Sequence, residues 1–199
     1  MTARLLFVHA LSPLHAGTGQ SVGAIELSIA RDRATRMPLV PASSIKGALK
    51  DRATDANLRS ALFGPDNGSE HAGALVFGDA NLLCLPVRSI AGTFAWATSP
   101  LLLARYARDC GEAGVAAPPV PSPTDISRIL LPPEGSVLKC FVNGNQRVVF
   151  EDLDFVPHND DQVAKVAEHV ADLVFPGEAQ SSWNAMFKTR FCLVHDQVM

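Results

Sequence analysis

An α+β fold is predicted by three observations. Short apolar runs alternate with three stretches of helical periodicity. Glycine, proline and asparagine punctuate those runs where turns are needed. At 199 residues with 47% hydrophobic and 19% charged side chains, the chain is long enough to bury a core and is too apolar for disorder. The elements follow in the order strand, helix, strand–strand, helix, strand, which is that of a ferredoxin-like domain.

Residues 3–11 (ARLLFVHAL) form an apolar run suited to a central strand. Residues 12–24 carry Ser, Pro, Gly and Thr and read as a loop, and residues 25–30 (IELSIA) alternate as a strand or extended arm. In 37–41 (MPLVP) each proline disfavours helix in the residue before it. Ser43 and Ser44 are suitable helix caps, and an apolar stripe from Ile45 continues to about Leu62, where Gly64-Pro65 stops it. Two strands are expected at 73–79 and 82–88 with a turn near Ala80-Asn81. A helix is expected over 93–110 with Pro100 in an early turn, followed by a loop-rich insertion at about 111–136. Strands at 137–142 and 146–156 flank the Asn143-Gly144-Asn145 turn. Val163, Val166, Ala167 and Val170 space a helix over 160–175, and FCLVHD near the end is a last strand. The whole reads as one domain over 1–199.

Several function classes are disfavoured. No run of 18 apolar residues exists to span a membrane, and Arg4, His9 and Pro13 interrupt the N-terminal apolar stretch before it resembles a secretory leader, so a cytoplasmic location is expected. Cys84, Cys110, Cys140 and Cys192 lie far apart with no CxxC spacing and suit small core positions better than zinc or disulfides. Net charge is −3, yet residues 1–52 hold seven basic and three acidic side chains. A local basic surface, not the average charge, decides phosphate binding.

The residues with chemical potential cluster in that first quarter. His15 follows a proline in a glycine-rich loop. Glu26 is the only acid before Asp32, and a carboxylate can act as base or metal ligand in cleavage through an RNA 2′-hydroxyl. The bland alternative is an ordinary strand glutamate. Arg31, Arg33 and Arg36 offer guanidinium forks for phosphate, or else a solvated charged edge. Ser43, Ser44, Lys46 and Lys50 mark a helix start whose free N–H groups and dipole would attract phosphate, with plain capping as the alternative. His71 and Asp79 lack a third ligand nearby and suit a loop role. Trp96 and Phe94 suit the core. RNA binders of the RRM type share the architecture, but no strand here carries their base-stacking aromatic pair.

Three segments carry a resemblance: SPLHAGTGQSVGAIELSIARDRATRMPLVPASSIKGALKD (12–51), FGPDNGSEHAGALVFGDANLL (63–83) and PVRSIAGTFAWATSPLLL (86–103). Weaker similarity continues through RVVFEDLDF (147–155) and RFCLVHD (190–196). The chain resembles the repeated backbone subunit, subunit four, of the type III-B CRISPR Cmr effector, within the RAMP superfamily. The resemblance implies a modified ferredoxin-like RAMP fold, a helical filament with other copies and other Cmr subunits, a guide RNA held along it, and cutting of complementary target RNA with Mg2+ or Mn2+. It implies catalytic roles for His15 and Glu26 and RNA contacts for Arg31, Arg33, Arg36, Ser43, Ser44, Lys46 and Lys50. Two departures accompany it. The family's catalytic aspartate falls on Glu26, one methylene longer, and a misplacement of about 1 Å can cost roughly 100-fold in rate. The family's C-terminal thumb and glycine-rich loop find no counterpart. Rival readings are a structural filament subunit that has lost cutting, a stand-alone guide-processing RNase, and a generic ferredoxin-like interaction domain.

Overall fold

The computed structural model describes residues 2–17, 28–66 and 71–199, which group into two compact units. One comprises residues up to His9 together with Leu83–Met199; the other is Ala10–Leu82. Each is mixed α and β, in keeping with the expected class.

In the larger unit a seven-stranded sheet runs in the order β3 (Leu85–Arg88), β4 (Phe94–Thr98), β9 (Phe191–Leu193), β5 (Arg128–Leu131), β8 (Leu153–Asn159), β7 (Asn145–Phe150), β6 (Cys140–Val142). β4 and β9 are parallel, as are β5 and β8, and the remaining neighbours are antiparallel. The sheet curls: Ser89 bridges to Phe150, and the Ile90 N–H donates to the Val149 carbonyl at 3.1 Å, joining the end of β3 to β7.

The central strands are buried on both faces, and successive residues supply two separate cores. Trp96, Leu130, Phe191 and Leu193 meet helices α3 (Pro100–Ala113), α4 (Asp161–Val174) and α5 (Ser181–Arg190). Ala95, Ala97, Ile129, Leu131 and Cys192 face the hollow of the curl, with Leu138, Val148, Phe150 and Phe155. The α4 stripe Val163, Val166, Ala167 and Val170 is wholly buried, and the Asp160 side chain caps the helix by accepting from the N–H groups of Gln162 and Val163. Asn143 (φ 50°) and Gly144 (φ 78°) close the β6–β7 hairpin with the two positive φ angles of a type I′ turn.

Several expectations change. Residues 2–10 join no strand; Leu5 and Phe7 instead turn onto the helical core, with the Phe7 ring edge-on to Tyr106. Residues 94–98, read as the start of a helix, are β4: Ser99-Pro100 supplies the helix start, and the residues before it are buried on both faces. The insertion at 111–136 contains β5, whose side chains after Arg128 are all buried. The stretch 146–156 turns at Glu151-Asp152 into two strands, and α5 fills 181–190, for which the sequence had offered no element. Cys110 and Cys192 are buried free thiols, while Cys84 and Cys140 are partly covered.

In the smaller unit β1 (Leu39–Val40) pairs antiparallel with β2 (Ala80–Asn81), so the expected turn at Ala80-Asn81 is itself strand, and residues 73–79 form none. The single expected helix is two, α1 (Ala42–Arg52) and α2 (Ala56–Phe63). Asp55 breaks it by capping α2 through the Asn57 and Leu58 N–H groups. Gly73 lies against α2's last turn, where a Cβ would sit 2.5 Å from the Leu62 oxygen and 2.6 Å from the Gly64 nitrogen. Backbone atoms cannot yield as a side chain can, so Gly73→Ala is expected to destabilise by about 1–3 kcal/mol, read as a lowered urea midpoint.

Candidate RNA interface

The smaller unit gathers the described site residues proposed from the sequence: His15, Arg31, Arg33, Arg36, Ser43, Ser44, Lys46 and Lys50. Gly17 bridges to Ile29, and the Ala30 N–H donates to the Ala16 carbonyl at 2.8 Å, so the antiparallel register carries His15 towards Arg31. Arg31 bridges in turn to Pro38, next to β1, and α1 follows directly. His15, the three arginines and the α1 residues thus stand along one ladder and the helix it feeds. Glu26, with the rest of 18–27, lies outside the described residues.

Residues 31–38 form a tight turn organised by Asp32. One Asp32 carboxylate oxygen accepts from the Ala34 N–H (3.0 Å), the Thr35 N–H (2.7 Å) and the Thr35 hydroxyl (2.9 Å). The Asp32 N–H donates to Met37 and its carbonyl accepts from Arg36, both at 2.9 Å. Arg36 takes φ 62°, a left-handed conformation costing a non-glycine residue roughly 1 kcal/mol. The Arg31 guanidinium donates to the Arg36 carbonyl at 2.9 Å. All three arginines are exposed. Among the described residues the guanidinium groups of Arg33 and Arg36 form no hydrogen bond or ion pair.

The α1 start differs from the expected anion site. Pro41, not Ser43 or Ser44, occupies the cap position, and no side chain of the cap itself bonds the helix. Asp79 does so from across the unit, its carboxylate accepting the Ala42 N–H at 2.7 Å. A negative group therefore already meets the positive end of the helix dipole. Ser43 and Ser44 are exposed in the first turn, and Lys46 is half-buried beside an open cavity of about 450 Å3 that Phe63 and Phe77 also line. Asp79→Ala is expected to cost about 1 kcal/mol, measurable by thermal unfolding, because the Ala42 N–H then loses its charged partner.

Lys50 has another employment than RNA. Its ammonium donates to the carbonyls of Gly64 (2.8 Å) and Pro65 (3.2 Å) and pairs with Asp66 at 2.9 Å, tying α1 to the end of α2. Together with the Arg59 guanidinium it holds the exposed Asp66 carboxyl below the usual carboxylate range. The unit contains seven basic and seven acidic side chains, so the excess of the first 52 residues is offset by acids that follow in the fold. His71 lies 3.2 Å from the Ser60 carbonyl through Nε2, and Asp79 serves α1, so each has a structural partner. Among the described residues no group of three His, Cys, Asp or Glu side chains could hold a metal ion. The sequence reading gives Asp32 no role and Asp79 only a loop role. An aspartate followed three positions later by threonine was the available sign of the turn, whereas Asp79 becomes a cap only through the fold.

The RAMP superfamily model matches residues 7–180. The CRISPR system Cmr endoribonuclease Cmr4 of Pyrococcus furiosus is 38% identical over 122 residues, a match spanning 58% of this chain and 41% of that relative. The crystal structure of oligomeric Cmr4 from Pyrococcus furiosus superposes with a TM-score of 0.72 at 27% identity, covering 94% of this chain and 67% of that one. A type III-B Cmr-beta complex bound to cognate target RNA shares the fold, with a TM-score of 0.57 at 18% identity over 93% of this chain and 63% of that one.

Proposed function

Because the chain belongs to the RAMP superfamily, we propose that it is the backbone subunit of a type III-B CRISPR effector, holding guide RNA and contributing to cutting of the paired target. The observation that carries this reading is the likeness to Cmr4 structures over 94% of the chain, beside the RAMP match over residues 7–180, a span that holds His15 and the arginines. Other copies of the chain and other Cmr subunits are its partners in this reading, and the cytoplasm its location. No described helix is long and apolar enough to cross a membrane.

A carboxylate at position 26 and an exposed His15 suit activation of a 2′-hydroxyl and handling of the scissile phosphate. Dependence on Mg2+ or Mn2+ belongs to the proposal and is decided by cleavage with either ion against a chelator. A second reading, a structural subunit that holds RNA without cutting it, rests on glutamate standing where the family has aspartate. Cleavage of guide-complementary RNA by the reconstituted complex separates the two: regularly spaced cuts favour the nuclease, whereas RNA retained without cuts favours the structural subunit.

A further inference from the structure

The three arginines of the 31–38 turn are not equivalent. Arg31 spends its guanidinium on the Arg36 carbonyl, inside the turn. Asp32, an acid in the middle of a basic segment, gives one oxygen to three donors of the same turn. Left by itself near a phosphate chain, that negative charge would oppose binding. Arg36 stands in a left-handed conformation that glycine would adopt without cost, and it presents an exposed guanidinium with no partner among the described residues. A side chain kept at a position whose backbone favours glycine points to a use for that side chain.

We infer that Arg31 and Asp32 are positioning residues that build the turn, and that Arg33 and Arg36 are the cations it presents to RNA phosphate. This rests on the RNA-binding reading above. The turn holds the two guanidinium groups ahead of contact, so less freedom is lost on binding than from arginines on a loose loop. Strain at Arg36 is then retained because glycine there would remove a phosphate contact.

One substitution gives effects of opposite sign under the rival accounts, and two more accompany it. Asp32→Ala removes a negative charge. Simple electrostatics predicts tighter RNA binding, whereas loss of positioning predicts weaker binding. Asp32→Asn removes the same charge but keeps an oxygen for the turn, so it is expected to bind at least as well as the unaltered chain. Arg36→Gly relieves the backbone, so its melting temperature is expected to be equal or higher, while RNA affinity falls.

The experiment measures the full chain binding a fluorescent 30-nucleotide single-stranded RNA by anisotropy over a salt series, with melting temperatures alongside. For Arg36→Gly the expected result is a log–log salt slope shallower by about 0.7, and affinity about fivefold lower near 0.1 M salt, as for one lost phosphate contact. Asp32→Ala is expected to weaken binding by a similar factor. Unchanged slope and affinity in Arg36→Gly, or equal or tighter binding by Asp32→Ala, would overturn the inference. An unaltered chain that holds no RNA at any salt concentration overturns the RNA-binding reading itself, and this one with it.

Discussion

Glu26→Gln in the reconstituted effector is expected to abolish regularly spaced cuts in guide-complementary RNA, lowering the cleavage rate by at least about 100-fold. Glutamine keeps the size and most of the hydrogen bonding of glutamate but can neither accept a proton at neutral pH nor supply negative charge to a cation. The change therefore isolates the carboxylate. On the RNA-binding reading proposed above, guide retention should be unaffected, because the phosphate contacts inferred there belong to Arg33 and Arg36 and not to residue 26. Glu26→Asp shortens the reach by one methylene. If the site is shaped for aspartate, this variant cuts faster than the unaltered chain, since about 1 Å of displacement is worth roughly two orders of magnitude. If the site has adapted to glutamate, it cuts more slowly. Cuts that persist undiminished in Glu26→Gln would remove residue 26 from the chemistry and leave His15 to be tested in its place. No cuts by the unaltered chain, with activity appearing in Glu26→Asp, would establish a structural subunit one methylene away from a nuclease.

The parts of this molecule that were legible in its sequence are those decided locally. The α4 stripe, the Asn143-Gly144 hairpin and the Gly64 helix stop each follow from a few neighbouring residues, and each stands where expected. What was illegible is set by distant partners. β4 and β5 lie buried on both faces, so they lack the alternation that marks a half-exposed strand. FAWAT running into a proline-led helix then resembles the first turn of that helix. Residues 2–10 are apolar enough for a strand, but only Leu5 and Phe7 find the core, and their backbone joins no strand. The candidate site divides in the same way. Its residues were identifiable as a basic, glycine-rich segment, and the fold gathers them onto one unit. Two employments were not identifiable: that Lys50 would bind the end of α2 and that Asp79 would reach the start of α1 depend on contacts 14 and 37 residues away in sequence, whereas Asp32 gathers the arginine turn through residues two and three positions on.

Phe191→Ala tests the two-faced sheet directly and is expected to cost about 3–5 kcal/mol, a large share of the 5–15 kcal/mol typical of a folded domain. Phe191 is fully buried on β9, paired with Trp96 of β4, and its ring lies 5.3 Å from that of Phe187 on α5. Truncation removes the contact by which sheet and helix meet, and leaves a hole that the surrounding rings, Trp96 and Phe175 among them, cannot fill without leaving their own packing. Phe141→Ala is the matched control. Its ring is 76% exposed on the edge strand β6, and its removal is expected to shift stability by less than about 0.5 kcal/mol. Urea unfolding followed by circular dichroism reads both, with an unchanged slope marking a stability effect alone. If Phe191→Ala cost under about 1 kcal/mol, β9 would not be seated between the helical layer and the curl. The order β4–β9–β5 would then have to be redrawn, and with it the burial of these strands on both faces.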